Sequence, residues 1–288
     1  MKSHSWSEAL CQQERLPQDY AAAVFDYIDP LASKIAALLQ RRARPVVVGV
    51  AGAQGSGKST LTLFLENWLR IEMGKSAVTL GLDDLYLGKR ERETLARSVH
   101  PLLRTRGVPG THDVELGQRL LHDLTGAHGS IRLPVFDKAA DDRVIPSPRT
   151  PLDTPVDVVL FEGWCVGARP QPEDELDEPV NALEAKHDAN GSWRRYVNHR
   201  LRTDYARLFD HLDALVFLRV PSFDKVLEWR RLQEEKLRGN TDIDDIGAFV
   251  SHFERLTRHI QIDMPRFANT VIGIDNDHRM VTMTHRGW

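Results

Sequence analysis

The sequence predicts an α/β fold in which a mostly parallel, five-stranded sheet is covered by helices on both faces. Five short runs rich in Val, Leu and Ile have the length and composition of strands buried on both faces of a sheet. Longer stretches between these runs carry apolar residues at helical spacing. Strands that alternate with helices are joined by crossover connections, so they are expected to lie parallel. The predicted strands cover residues 46–51, 77–82, 156–161, 214–220 and 271–275, and residues 280–283 extend the last one into a hairpin.

The first predicted helix covers residues 18–42 and precedes the first strand. Its apolar residues recur at steps of three and four, which places them on one stripe that packs against the rest of the domain. The stripe consists of Tyr20, Val24, Ile28, Leu31, Ile35 and Leu38. Further helices are predicted over residues 60–69, 113–125, 193–209, 222–238 and 245–259, and Asp113 is a suitable N-cap for the one that it begins.

Residues 139–155, which are rich in Pro and Asp, are predicted to form a loop. Residues 84–113 and 137–155 are expected to lie over the functional site as a lid, and the acidic, proline-rich stretch 170–179 is expected to be a solvated insertion. Since the chain contains no obvious internal linker, we interpret residues 1–288 as a single domain with an N-terminal helical extension over about residues 1–44.

Composition excludes several classes of partner. The formal net charge of the 288 residues is -3, so no general basic field attracts nucleic acid or an anionic membrane. No apolar run approaches the roughly 20 residues that a membrane-spanning helix needs, and the first residues lack the apolar core of a signal peptide. The two cysteines, Cys11 and Cys165, cannot form a dense disulfide framework, which favours a reducing compartment and a cytoplasmic location. Nothing in the sequence points to a particular oligomeric state.

The strongest motif is GAQGSGKS at residues 52–59, which matches the phosphate-loop pattern G-x-x-x-x-G-K-[ST] at every fixed position. It follows a predicted strand and precedes a predicted helix, which is the context that the pattern requires. Lys58 is expected to reach the β- and γ-phosphates of ATP, and Ser59 to coordinate Mg²⁺. The predicted nucleotide-binding residues are Gly52, Gln54, Gly55, Ser56, Gly57, Lys58, Ser59 and Thr60. The motif therefore predicts the P-loop NTPase fold.

Carboxylates at the ends of two further strands favour phosphoryl transfer over other uses of such a loop. Asp83 and Asp84 follow the second strand and Glu162 follows the third, at the edge of the sheet where ligands bind. Asp83 is the predicted catalytic base that orients the acceptor hydroxyl, and Glu162 is predicted to hold the Mg²⁺ shell together with Ser59. Asp84 could instead cap the following segment or belong to the Mg²⁺ shell, and a further alternative is that both aspartates only cap a turn.

Two absences support the same interpretation. The sequence has no Asn-Lys-x-Asp motif to read guanine, which counts against a GTPase, and it lacks the additional domains of a motor or helicase. A cation must still neutralise the transferring phosphoryl group. Arg230, Arg231 and Arg238 lie on the helix after the fourth strand. We place Arg230 with Lys58 and Asp83 in the catalytic set, although such charges more often form a solvated helix face.

These residues resemble the phosphoribulokinase, uridine kinase and pantothenate kinase superfamily, and within it the D-glycerate 3-kinase group. The resemblance runs from about residue 20 to residue 288, and RGVPGTHD, residues 106–113, is its most discriminating part. It rests on the blocks GAQGSGKST (52–60), LDDLYL (82–87), HPLLRTRGVPGTHD (100–113), LPVFDKAADDR (133–143), FEGWCVG (161–167) and WRRLQEEKLR (229–238).

The resemblance implies transfer of the ATP γ-phosphate to the 3-hydroxyl of D-glycerate. A small carboxylate needs fixed cations and hydrogen-bonding groups, and Arg106 is the preferred clamp because a guanidinium binds a carboxylate through two bonds. Arg104 is a further nearby cation. His112 is either an acceptor ligand or a structural histidine. The full set of predicted acceptor-binding residues is Asp84, Tyr86, Arg106, His112, Asp113, Asp137, Lys138 and Arg143.

Two alternatives stay open on the sequence. The first keeps the kinase but changes the acceptor to a nucleoside or pantothenate, against which the absence of an aromatic cluster in residues 100–143 counts mildly. The second is an ATP-binding regulator that acts on no small acceptor. The adenine pocket is placed near residues 275–278 only by position in the fold.

Overall fold

The computed structural model describes residues 5–17, 19–126, 129–238 and 243–288; over residues 231–238 and 243–246, and at residue 248, it describes the main chain alone. The strands of this part of the chain are β1 Val46–Gly52, β2 Ala77–Gly81, β3 Gly129–Ile131, β4 Phe136–Asp137, β5 Asp142–Arg143, β6 Leu152–Thr154, β7 Val158–Gly163, β8 Ala214–Arg219, β9 Thr270–Ile274 and β10 Met280–His285.

The main sheet has the strand order β10-β9-β8-β1-β7-β2. The five predicted strands pair in parallel, and β10 returns antiparallel to β9 as the predicted hairpin. The α/β fold class is thereby confirmed. The third strand begins and ends two residues later than predicted, because its pairing with both neighbours continues to Val50 and Gly81 opposite Glu162. Glu162 therefore lies inside the end of β7 rather than after it.

The helices cover both faces of this sheet. They are α1 Ser5–Gln13, α2 Tyr20–Arg42, α3 Lys58–Asn67, α4 Lys89–Ser98, α5 Val114–Gly126, α6 Ala182–His187, α7 Ser192–Arg200, α8 Ala206–Phe209, α9 Phe223–Arg238 and α10 Ile243–Asp263. A π-helical turn, Trp68–Glu72, extends α3, and another, Leu201–Tyr205, joins α7 to α8. Each predicted helix is present, and Asp113 accepts a hydrogen bond from the Leu116 N–H as the predicted N-cap of α5.

Three helices were not predicted, namely α1, α4 and α6. The α4 segment, KRERETLARS, is dominated by charge and buries only Arg92 and Ala96. A helix that docks through an arginine shows no apolar stripe, and periodicity of apolar residues is the signal on which the prediction depends.

Alternate residues of the central strands point to opposite faces of the sheet and pack into two hydrophobic cores. Val48 and Val50 of β1 pack with α1, α2 and α3 on one face of the sheet. Val47 and Ala51 pack with α5, the π-helical turn before α8 and α10 on the other face. The N-terminal helices therefore share the main core, since Ile28 of α2 is completely buried in it.

Short elements lie over the carboxyl edge of β1, β7 and β2. The loop predicted over residues 139–155 instead contains one strand of each of two small antiparallel pairs, β3 with β6 and β4 with β5. A single bridge joins Tyr86 to His112 and ties the two ends of the 84–113 segment together. The acidic stretch 170–179 is mostly exposed, as predicted, but it is anchored by the buried Leu176. Along the part of the chain described, none of the helices is long and apolar enough to cross a bilayer.

Candidate active site

The phosphate loop turns sharply between β1 and α3. Gly55 and Gly57 have φ values of 76° and 84°, a backbone region that residues with a side chain rarely adopt. A Cβ atom on Gly52 would lie 2.6 Å from the Ser56 hydroxyl oxygen, so the start of the loop is closely packed. α3 begins at Lys58 and points its N-terminal N–H groups toward the space above the loop. This backbone is suited to hold an anion.

A cleft of about 490 Å³ lies above the loop and the ends of β2 and β7. Its volume is typical of a site for a cofactor or small ligand. The cleft is lined by Gln54, Gly55, Gly57, Lys58, Ser59, Thr60, Gly81, Asp83, Asp84, Tyr86, Arg106, Lys138, Glu162, Trp229, Arg230, Phe249 and His278.

Most of the predicted nucleotide and metal residues line this cleft. Gly52 and Ser56 do not, because Ser56 is buried beneath the loop against Gly52. Arg230 lines the cleft, with its guanidinium 5.7 Å from the centre of the Phe249 ring. The side chains of Arg231 and Arg238 lie outside the described residues.

Ser59 and Glu162 meet at the floor of the cleft. The Ser59 hydroxyl donates a 3.1 Å hydrogen bond to Glu162 Oε1, and Glu162 Oε2 is buried with no hydrogen-bond partner among the described residues. Burial raises the pKa of Glu162, against the opposing charge of Lys58. A carboxylate oxygen left without a donor beside a hydroxyl is an oxygen set that fits Mg²⁺.

The protein alone does not complete a metal site. Within the described ranges, no group of three or more His, Cys, Asp or Glu side chains could hold a metal ion. Mg²⁺ commonly binds through one or two carboxylates and completes its shell with water and substrate phosphates. The Ser59–Glu162 pair is compatible with that mode.

Asp83 lies in a 3₁₀ turn, Leu82–Leu85, directly after β2, and both of its oxygens accept hydrogen bonds. The Tyr86 hydroxyl donates to Oδ1 at 3.0 Å, and the Lys138 ammonium donates to Oδ2 at 2.6 Å. Burial raises the pKa of Asp83, but the charges of Lys138 and Lys58 together outweigh it and lower the pKa to about 2. Asp83 is therefore an ionised carboxylate that faces the cleft.

Its neighbour Asp84 makes different contacts. Asp84 accepts hydrogen bonds from the Phe136 N–H at 3.2 Å and from the Arg149 guanidinium at 2.9 Å. Burial raises its pKa, in the opposite direction from the net change at Asp83. Asp84 thus ties the segment that carries β4 to the end of β2, although it also lines the cleft.

His112 is buried and is not among the residues that line the cleft. Its ring stacks on Tyr86 with centroids 4.4 Å apart, and Nδ1 lies 2.6 Å from the Tyr205 hydroxyl. Burial lowers its pKa to about 3, despite the attraction of Asp83, so the ring is neutral. These contacts match the structural alternative that the sequence left open, since His112 supports Tyr86 from behind.

The other predicted acceptor residues divide between the cleft and its support. Arg106 and Lys138 line the cleft. Arg143 instead donates to the Tyr86 carbonyl at 2.7 Å and to Asp113 at 3.2 Å. Asp137 is exposed and accepts hydrogen bonds from the N–H groups of residues 139 and 140. Arg104 is exposed and does not line the cleft either.

Several cleft residues were not predicted as site residues. Trp229 and His278 stack face to face beside the phosphate loop, with ring centroids 4.4 Å apart. His278 falls within the segment that position in the fold associated with the adenine pocket. Trp229 begins the block WRRLQEEKLR, residues 229–238, but it was not among the predicted site residues. Arg92 does not line the cleft, and no sequence pattern distinguished it from the other charged residues of α4.

No family model matches the chain. The chain is 32% identical over 252 residues to a Schizosaccharomyces pombe protein named "Uncharacterized kinase mug58", covering 78% of this chain and 86% of the relative.

Two further relatives carry the name D-glycerate 3-kinase. The chain is 30% identical over 224 residues to the chloroplastic D-glycerate 3-kinase of Arabidopsis thaliana; the match takes in 73% of this chain but only 46% of that longer protein. The solved structure of D-glycerate 3-kinase from Cryptococcus neoformans superposes with a TM-score of 0.75 at 26% identity, covering 90% of this chain and 99% of that one.

Proposed function

The chain belongs to the phosphoribulokinase, uridine kinase and pantothenate kinase superfamily of P-loop kinases, and on that premise we propose that it uses ATP and Mg²⁺ to phosphorylate D-glycerate to 3-phosphoglycerate. The observation that carries the proposal is the acceptor side of the cleft. There the carboxylate of Asp83 accepts a hydrogen bond from Lys138, and a second cation, Arg106, lines the same cleft. A small alcohol that also carries a carboxylate matches these three groups.

The nucleotide half of the reaction uses the phosphate loop. Its N–H groups and Lys58 bind the ATP phosphates, and the N-terminus of α3 favours the same negative charge. Ser59 and Glu162 would hold Mg²⁺, which supplies neutralisation of phosphate charge when it is bound. Arg230 lies on the wall of the cleft and adds positive charge for the transferring phosphoryl group.

In the acceptor half of the reaction, Asp83 is ionised at the start and accepts hydrogen bonds from Tyr86 and Lys138. A carboxylate whose pKa is about 2 is a weak base, so Asp83 acts first by orienting the acceptor hydroxyl toward the γ-phosphate. Phosphoryl transfer through a loose transition state asks mainly for positioning and charge stabilisation. In the proposed complex, Lys138 turns from Asp83 to the incoming carboxylate, and the loss of this cation raises the proton affinity of Asp83 as the hydroxyl proton arrives.

The test is a panel of acceptors. ADP release is measured with ATP and Mg²⁺ in the presence of D-glycerate, glycerol, several nucleosides, pantothenate or ribulose 5-phosphate. We expect stimulation by D-glycerate above all others, and little by glycerol, which has the hydroxyls but no carboxylate. Turnover of a nucleoside without turnover of glycerate would refute the acceptor while leaving the kinase assignment. ATP binding without stimulation by any acceptor would favour a regulator.

Two further parts of the proposal concern organisation and place. We propose one kinase domain over residues 1–288, with α1 and α2 as its N-terminal extension, because these helices pack into the same core as β1 and α3. We also propose a cytoplasmic location. Cys11 and Cys165 are both buried and free, which is compatible with a reducing compartment.

A further inference from the structure

Arg92 is the one strongly buried charge on α4. Its side chain is 1% exposed, while the other cations of this helix point outward. Its guanidinium donates to the Leu87 carbonyl at 3.0 Å, to the Arg104 carbonyl at 2.7 Å and to the Asp141 carbonyl at 2.7 Å. It also forms an ion pair with the Asp141 carboxylate at 2.9 Å. One side chain thus joins the three segments that surround the acceptor side of the cleft.

The carboxylate of Asp141 is shared between two arginines. One oxygen pairs with Arg92, and the other pairs with Arg106, which lines the cleft. Both guanidinium groups also approach the same ring, since Arg92 and Arg106 lie 5.9 and 5.6 Å from the centre of Phe136. The position of Arg106 is therefore set from behind by Asp141 and Phe136, both of which contact Arg92.

Burying the Arg92 guanidinium costs free energy of hydration, which its hydrogen bonds and ion pair have to offset. A buried arginine loses its hydration and is tolerated only when most of its donors are satisfied. A lysine would keep the charge but present a single point donor in place of a planar fork. The four contacts of Arg92 need that fork, because they lead to three different stretches of main chain.

We propose that Arg92 is a positioning residue that orients Arg106, through Asp141, for the carboxylate of an anionic acceptor. The inference rests on the proposed function, because it assigns Arg106 to that carboxylate. Arg92 does not touch the substrate. Its effect is on the affinity for the acceptor, and the nucleotide half of the cleft is unaffected.

The test compares Arg92→Lys with Arg97→Lys, an identical change at an exposed position of the same helix. Arg106→Lys and the double variant complete a cycle, and KM is measured separately for D-glycerate and for ATP. We expect Arg92→Lys to raise the KM for glycerate about tenfold, since small misplacements of binding groups have large effects, with the KM for ATP within about twofold. Arg97→Lys is expected to match the wild type. The double variant is expected to be no worse than Arg106→Lys alone, because residues that act through one another are not additive.

Three results would overturn the inference. The first is a fall in kcat for Arg92→Lys with an unchanged KM for glycerate, which would indicate a loss of folded protein only. The second is multiplication of the two KM effects in the double variant. If Arg92→Lys does not fold, Asp141→Asn takes its place, because it keeps the main-chain contacts of Arg92 but removes the ion pairs of Asp141 with Arg92 and Arg106. The third result is an unchanged KM for glycerate in Asp141→Asn.

Failure of the proposed function is distinguishable from these results. A wild-type enzyme that uses another anionic acceptor of the panel contradicts the glycerate assignment, and the same cycle is then measured with that acceptor. A wild type that uses an uncharged acceptor, or none, overturns both the proposed function and the role of Arg92.

Discussion

The two halves of the cleft are built in different ways. The nucleotide half is built around one continuous loop, residues 52–59, whose shape depends on two glycines with positive φ. The acceptor half is assembled from separate stretches that carry Asp83, Arg106, Lys138 and Asp141, and it is held together by ion pairs. The first half therefore depends on backbone conformation, and the second depends on charges that lie far apart in the sequence.

The largest expected effect is at the acceptor half. Asp83→Asn keeps the size of the side chain but removes the charge that orients the acceptor hydroxyl, so kcat is expected to fall about 10³-fold, as general-base catalysis contributes 10² to 10⁴. The dissociation constant for ATP, measured by calorimetry, is expected to change less than about twofold. Asp153→Asn, at an exposed position of β6, is the control. A large loss of ATP affinity in Asp83→Asn would show that Asp83 binds the nucleotide or its metal ion. The assignment of Asp83 to the acceptor half would then be wrong.

A smaller effect is expected when backbone shape alone is changed in the nucleotide half. Gly57→Ala adds a side chain at a φ of 84° where space is open, since the nearest atom would be 3.9 Å away. Left-handed backbone costs a residue with a Cβ about 1–2 kcal/mol, and relief of this strain by movement of the loop is expected to weaken ATP binding roughly tenfold.

Gly74→Ala is the matched control for this prediction. Gly74 also has a positive φ, 61°, with no atom within 4 Å of an added Cβ, but it is not among the residues that line the cleft. Gly74→Ala is expected to lower thermal stability about as much as Gly57→Ala does, and to leave ATP binding unchanged. Unchanged ATP binding in Gly57→Ala would show that the loop tolerates another shape.

The smallest expected effect is on the pH dependence of stability and comes from His112, behind the acceptor half. Burial lowers the pKa of His112 to about 3 from its ordinary 6.5. Between these values the unfolded chain binds the proton and the folded chain does not, so the fold loses stability as pH falls from 6.5 toward 3. The contribution of one such group is about a tenfold rise in the unfolding constant per pH unit.

His112→Asn is therefore expected to flatten the loss of stability below pH 6.5, whatever its effect on stability at neutral pH. Denaturant unfolding at several pH values measures this slope, and His122→Asn, on the exposed face of α5, is the control. An unchanged slope would mean that His112 is protonated in the folded protein, and Tyr86 would then stack on a charged ring.

The same contrast explains how much the sequence could predict. The strands and the phosphate loop follow from local patterns, because apolar runs and glycine spacing act over a few residues. Asp83 and Glu162 follow from the rule that the carboxyl ends of parallel strands meet. The sequence did not predict which of the acceptor residues line the cleft and which of them support it from behind. Whether Arg106 lines the cleft while Arg143 holds main chain depends on which of two similar side chains finds Asp141 and which finds Asp113, and this is decided by tertiary packing.

Arg92 shows the limit most clearly. It lies among five other charged residues within a ten-residue helix, and a sequence pattern cannot separate the one that turns inward from those that face water. The signal lies in the carbonyl groups that it satisfies, and these are contributed by main chain at residues 87, 104 and 141.

The ion pairs of the acceptor half have a consequence for selectivity. Asp83 pairs with Lys138, and Asp141 pairs with Arg106; these two cations are the ones that the proposed acceptor would bind. Any other anion that enters the cleft has to compete with these two carboxylates. Sulfate offers charge alone and has to displace a carboxylate that is already in place. A hydroxy acid offers a carboxylate to the cations and a hydroxyl to the aspartate that they release. Under the proposed function, these ion pairs favour a hydroxy acid over an anion that offers charge alone.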